Sequence, residues 1–261
     1  MSGEITTDID TRGVGTIWID NPAHRNAMND ALIEALLAAF LALGRDDACR
    51  VVVLRGRGGI FCAGRELRDL RALNQSPMDK VERAYERLRQ VNEAIYFCPR
   101  PTLCVIEKYA FGLGATLVSW CDMALADSEA LISYPEVHHG ITPAPAVMAL
   151  QRGVTRKAMM DILLTGRRIG MEEAVPMGLV NRAVPRERLD AEIAATLKGL
   201  LRGSPSAVRR TKEFIWHSED TGHRAAMASA VGSISLGLGS GETREGIGAF
   251  LDKRDPPWVK P

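Results

Sequence analysis

The chain has 261 residues, 46% of them hydrophobic, and its 33 Lys and Arg nearly balance 32 Asp and Glu for a formal charge of +1. That length buries one large core, and the neutral balance argues against a protein that wraps nucleic acid or lies on an acidic membrane. The five cysteines are scattered without a CxxC pair, which supports neither a disulfide framework nor a zinc site. No apolar run reaches the ~18–20 residues of a bilayer span. The opening MSGEITTDIDTRG lacks the basic and apolar regions of a signal peptide, so the expectation is a reduced, cytoplasmic globular protein.

Val14–Asp20 alternates polar and apolar residues and reads as a strand. Asp30 then opens an apolar helical pattern that ends near Gly44. Residues 50–54 (RVVVL) form a short, almost wholly apolar strand, the kind a sheet covered on both faces requires. Helical spacing runs over residues 80–97 until Pro99 and Pro101 stop it. Thr102–Ile106 and residues 123–126 are further buried strands, and strands separated by helix-length segments predict βαβ crossovers. Beyond residue 145 helices dominate, with one edge strand expected over 180–184. The division that follows is an α/β core over residues 1–190, a helical C-terminal region over 191–261, and an extended tail at PPWVKP. The basic run Arg209, Arg210, Thr211, Lys212 reads as a solvated helix face.

Two glycine-rich stretches follow strands. Neither completes a dinucleotide-binding GxGxxG, because Phe61 and Leu117 stand where the third glycine belongs. Ligands in open α/β sheets bind beyond the carboxyl ends of strands, and glycine there lets backbone N–H groups approach them. Two such loops side by side aim two donors at one oxygen, helped by the free N–H groups of a helix starting near Gly114. The same glycines also serve plain strand-to-helix turns. Glu136 sits in an otherwise apolar stretch, SYPEVHHG, where a raised pKa suits a general base or acid; a surface-loop glutamate is the bland alternative. His138 and His139 have no partner at metal-ligand spacing and are pocket-wall candidates. Asp122 reads as a structural or capping group. Cys62 and Cys121 read as small buried thiols, and no GxSxG elbow is present.

Taken together, Asn21-Pro22 with Arg25-Asn26-Ala27-Met28, then Gly59-Ile60-Phe61-Cys62-Ala63-Gly64, Tyr109 to Gly114, Pro135-Glu136 with Gly140 and Pro143, and a late Phe250-Leu251-Asp252-Lys253-Arg254 resemble the enoyl-CoA hydratase/isomerase (crotonase) superfamily over nearly the whole chain. The resemblance implies a spiral of repeated ββα units with a helical C-terminal trimerisation region, a homotrimer or hexamer, a coenzyme A thioester as substrate, and no metal or redox cofactor. It places an oxyanion hole at the backbone N–H groups of Arg65 and Leu113. It assigns CoA contacts to His24, Arg25, Ala63, Glu66 and Leu67, and expects Phe250 and Lys253 to reach a neighbouring subunit's ligand. Nucleic acid and membrane partners are not expected.

One position departs from the family's hydratases, which carry a glutamate at residue 116 as well as at 136. Here residue 116 is Thr116, whose hydroxyl hydrogen-bonds a water without accepting its proton at neutral pH. A single Glu136 matches the family's enoyl-CoA isomerases, where one carboxylate shuttles a proton between two carbons. The alternatives are a hydratase working through Glu136 alone on a branched or methylglutaconyl-like acyl-CoA, a decarboxylase or other lyase, and a non-catalytic acyl-CoA binder. The superfamily's RNA-binding branch is disfavoured by the +1 charge.

Overall fold

The computed structural model describes residues 3–260. In chain order, β1 (Glu4–Ile9) and β2 (Val14–Asp20) form an antiparallel hairpin, followed by α1 (Asp30–Arg45) and β3 (Val51–Gly56). Next come α2 (Leu67–Asn74), α3 (Met78–Tyr96), β4 (Thr102–Ile106), β5 (Tyr109–Phe111) and α4 (Leu113–Trp120). β6 (Met123–Asp127), β7 (Leu131–Ser133), α5 (Ala144–Leu150), α6 (Arg156–Thr165), β8 (Ile169–Gly170), α7 (Met171–Ala174) and β9 (Arg182–Val184) complete the mixed region. Four helices close the chain: α8 (Arg186–Arg202), α9 (Pro205–Asp220), α10 (His223–Leu238) and α11 (Gly241–Leu251).

Six strands form the main sheet in the order β1-β2-β3-β4-β6-β9, parallel from β2 onward. A smaller sheet runs β5-β7-β8. Successive units place their first strand in the large sheet and their second in the small one, as β4 then β5, and β6 then β7. That is the expected ββα repeat, and it brings the loops after β5 and β7 to one end of the small sheet.

The apolar strands are explained by their two covered faces. Val52, Leu54, Cys104, Ile106, Ala124 and Ala126 face one core, while Val51, Val53, Leu103, Val105 and Leu125 face the other. Successive side chains alternate sides, so a strand covered on both must be apolar throughout. α1 fills the first core with Leu32, Ile33, Leu36, Phe40 and Leu43 at helical spacing. Its start is fixed by Asn29, whose side chain accepts from the Leu32 N–H at 2.9 Å. The second core is closed by Leu189, Ile193, Leu197 and Leu201 of α8. The division expected at residue 190 therefore falls inside a helix that roofs the sheet.

Several expectations change. β1 was not foreseen, because EITTDI is polar and lies on the sheet edge with both faces partly in solvent. The helix expected over 80–97 starts two residues earlier, and the second glycine loop follows the short strand β5, with the buried strand β4 one step before it. Lys212 is not on a solvated face: it is buried, and its Nζ donates to Asp122 Oδ2 at 2.5 Å and to the Arg100 carbonyl at 3.1 Å. Asp122 has the structural role expected of it, accepting also from the Thr102 N–H and hydroxyl at 2.7 and 2.9 Å. The tail has no regular structure but is docked: the Trp258 carbonyl accepts from Arg50, and its indole N–H donates to the Arg202 carbonyl at 3.1 Å.

Candidate active site

The two glycine loops do lie side by side. Gly64 has φ of +102°, a conformation that disfavours side chains, and a Cβ there would stand 2.8 Å from the Phe111 carbonyl oxygen and 3.5 Å from the Leu113 nitrogen. Gly112 precedes α4 with φ of +52° and ψ of −117°. A Cβ on it would meet Glu136 Oε1 at 3.5 Å and the Gly64 Cα at 4.0 Å. Residues 64, 112 and 136, far apart in the chain, thus converge within ordinary contact distance. The N–H groups of Arg65 and Leu113, which flank this contact, have no acceptor among the described residues. The Leu113 N–H also belongs to the open first turn of α4, where helix geometry leaves donors unpaired.

Glu136 enters from a 3-10 turn over Pro135–His139, directly after β7. The turn is pinned by the Ile141 N–H, which donates to the Glu136 carbonyl at 3.0 Å. Burial pushes the Glu136 carboxyl above the ordinary carboxylate range, offset in part by its own backbone N–H and by the charge of His139. Its Oε2 is buried and has no hydrogen-bond partner among the described residues. A carboxylate left this dry is a stronger base than one in water. Tyr134, fully buried just before it, is occupied with Ser119 at 2.6 Å.

Arg65, Leu113, Thr116 and Glu136 line one cavity of about 80 Å³, and Glu136 is its only carboxylate among the described residues. The four residues expected to do chemistry are therefore brought together. Thr116 lies on α4 and is buried, and its N–H donates to the Gly112 carbonyl at 3.0 Å. His138 and His139 instead face carbonyls, of Thr165 at 2.7 Å and Pro135 at 3.2 Å. Cys62 is buried, and burial holds its thiol up at about 12, so it remains an inert thiol at neutral pH.

The residues expected to touch CoA gather at the outer side of the same loop. Arg25 stands in the left-handed region, φ +56°, and its carbonyl accepts from the Ala63 N–H at 3.1 Å. His24 Nδ1 lies 3.9 Å from Glu66 Oε1, and Leu67 beside it is largely exposed. Asn26 holds this corner from beneath: its side chain donates to the carbonyls of Ile60 at 2.6 Å and Arg57 at 2.9 Å and accepts from the Asn21 N–H at 2.8 Å. Phe250 and Lys253 are not brought into this group; Phe250, at the end of α11, is 83% exposed and lines no part of the cavity.

Asn92 and Leu88 of α3 were missed in the sequence. With Tyr85 they form a stripe at i, i+3, i+7 that walls the cavity. The signal was that spacing, hidden because α3 presents a second apolar face to α1. A larger cavity of about 540 Å³ adjoins, sharing Tyr85, Asn92, Thr142 and Pro145 as walls.

A family model described as enoyl-CoA hydratase/isomerase matches residues 10–261. The chain belongs to that family of acyl-CoA enzymes. Among relatives, human enoyl-CoA hydratase domain-containing protein 2, mitochondrial, is 30% identical over 254 residues, covering 95% of this chain and 86% of the relative. Among solved structures, an enoyl-CoA hydratase of Mycobacterium smegmatis is 32% identical with a TM-score of 0.91, covering 98% of this chain and 99% of that one. AtuE of Pseudomonas aeruginosa is 28% identical with a TM-score of 0.93 at the same coverage. These likenesses span the crotonase fold from end to end.

Proposed function

We propose that the chain is an enoyl-CoA isomerase whose single acid/base is Glu136. The observation that carries this reading is that, among the described residues, Glu136 is the only carboxylate lining the cavity that also holds Arg65, Leu113 and Thr116. Hydration divided between two carboxylates needs a second one, and Thr116 does not replace it. In the proposed reaction Glu136 takes a proton from C2 of a 3-enoyl-CoA. Negative charge then moves to the thioester oxygen, which accepts from the N–H groups of Arg65 and Leu113. Two preplaced donors there act where charge develops, and losing one typically costs about 3–4 kcal/mol. Glu136 returns the proton at C4, leaving the 2-enoyl thioester. The step uses no metal or redox cofactor, and coenzyme A enters as part of the substrate, with its contacts at His24, Arg25, Ala63, Glu66 and Leu67.

Likeness to a solved enoyl-CoA hydratase at 32% identity favours a second reading, hydration through Glu136 alone. The two separate in a mass-resolved assay with 2-enoyl- and 3-enoyl-CoA in deuterium oxide. Double-bond migration with deuterium uptake and no added water is expected, and Glu136→Gln lowers it by roughly 10²–10⁴-fold, the usual contribution of a general base. Stoichiometric addition of water gives the site to the hydratase reading, and wild-type activity in Glu136→Gln overturns both.

We also propose a homotrimer, alone or stacked as a hexamer. Met227, Val231, Ile234 and Leu238 lie at i, i+4, i+7, i+11 on α10, and all are exposed in the single chain. Such a stripe is ordinarily covered. Assembly is also what brings Phe250 and Lys253 within reach of a neighbour's ligand.

A further inference from the structure

The Arg65 side chain has no part in the chemistry above, which uses only its backbone N–H. It is 6% exposed and forms part of the wall of the Glu136 cavity. One guanidinium nitrogen, Nη2, is held by Asp30 at the start of α1. The other two, Nε and Nη1, are buried without a hydrogen-bond partner among the described residues. The Tyr85 ring lies 5.9 Å away, a contact with the guanidinium carbon that takes up no N–H group. Two acceptors in the wall of the same cavity, Asn92 Oδ1 and Glu136 Oε2, are likewise buried with no partner among the described residues.

A buried charged donor without an acceptor costs more than a neutral one. A purely aliphatic acyl chain, packed against Leu70, Leu88 and Ile141, would leave the two Arg65 donors, Nε and Nη1, dry. An acyl group bearing its own carboxylate would satisfy them, and guanidinium–carboxylate bonds are the strong kind. Asp30 lies mostly in solvent, so the pair it makes with Arg65 leaves the inner side of the guanidinium electropositive.

We infer that the site selects a CoA thioester whose acyl group ends in a carboxylate, with Arg65 as the specificity-determining side chain. This rests on the acyl-CoA reading, and the test separates the two. Calorimetry compares glutaryl-CoA with pentanoyl-CoA, saturated five-carbon thioesters differing in the terminal carboxylate. Wild-type protein is expected to bind glutaryl-CoA at least about tenfold more tightly, one charge-assisted hydrogen bond's worth. In Arg65→Met the ratio falls to within about threefold. In Asp30→Asn, which removes the surface partner and keeps the guanidinium, it stays at tenfold or rises. Equal or weaker binding of glutaryl-CoA to the wild type overturns the inference and leaves the acyl-CoA reading standing. Preference surviving in Arg65→Met overturns the role of Arg65. Failure of the wild type to bind either thioester overturns both readings.

Discussion

Glu136 shows how one residue's environment decides its chemistry. Desolvation raises its pKa in the fold, so its ionised form is least comfortable where it is most useful. The group binds its proton more tightly folded than unfolded. Its contribution to stability is therefore present below the ordinary carboxylate value and is lost as pH rises through the folded value. Glu136→Gln removes that loss, so the variant should melt at or above the wild-type temperature at pH 8, with the difference vanishing on acidification toward pH 4. The same shift predicts that the acid limb of the kcat/KM profile lies above the ordinary carboxylate pKa. Melting curves and pH–rate profiles across that window check both statements. The setting of proline and apolar neighbours marked Glu136 as a candidate acid or base, and the shuttle role came with the family resemblance. The contact through Gly112 to Gly64 was not, because it joins three separate loops.

At the scale of elements, glycine chemistry and the ion pair of a buried lysine hold the site in place. The approach of α4 to the 62–65 loop depends on Gly64, where a Cβ would collide with a backbone oxygen. Behind α4, Lys212 of α9 ties the helical C-terminal region to the Asp122 corner. A basic run on a helix gives no sign of which lysine turns inward. Only its tertiary partners, Asp122 and the Arg100 carbonyl, select Lys212. Lys212→Met is expected to cost about 1–3 kcal/mol, since Asp122 keeps its Thr102 bonds while losing its buried cation. Urea titration should show a lower midpoint with unchanged slope. No loss of stability would mean that α9 is held by its apolar contacts alone.

At the scale of the whole molecule, the single chain leaves α10 with an apolar stripe and α11 ending in exposed Phe250 and Leu251. Burying such side chains is worth about 1.5–3 kcal/mol each, which is what the assembly proposed above would supply. Ile234→Asp should shift the protein to monomer in size-exclusion chromatography with light scattering, at the concentration where the wild type runs as a trimer or larger. A wild-type monomer would refute the assembly proposed above.

The sequence by itself determined the alternation of buried strands with helices, the two glycine loops, the isolated glutamate and the threonine at residue 116. Each is a local matter: strand periodicity, backbone freedom and side-chain chemistry act within a few residues. Tertiary structure decided what these pieces meet. It carried Gly64, Gly112 and Glu136 to one point, turned Lys212 inward, placed Asn92 in the cavity wall, and left two guanidinium nitrogens of Arg65 without an acceptor among the described residues. Burial and partnership depend on chain segments distant in sequence, so the Arg65 side chain, to which the sequence assigns no role, becomes part of a buried cavity wall in the fold.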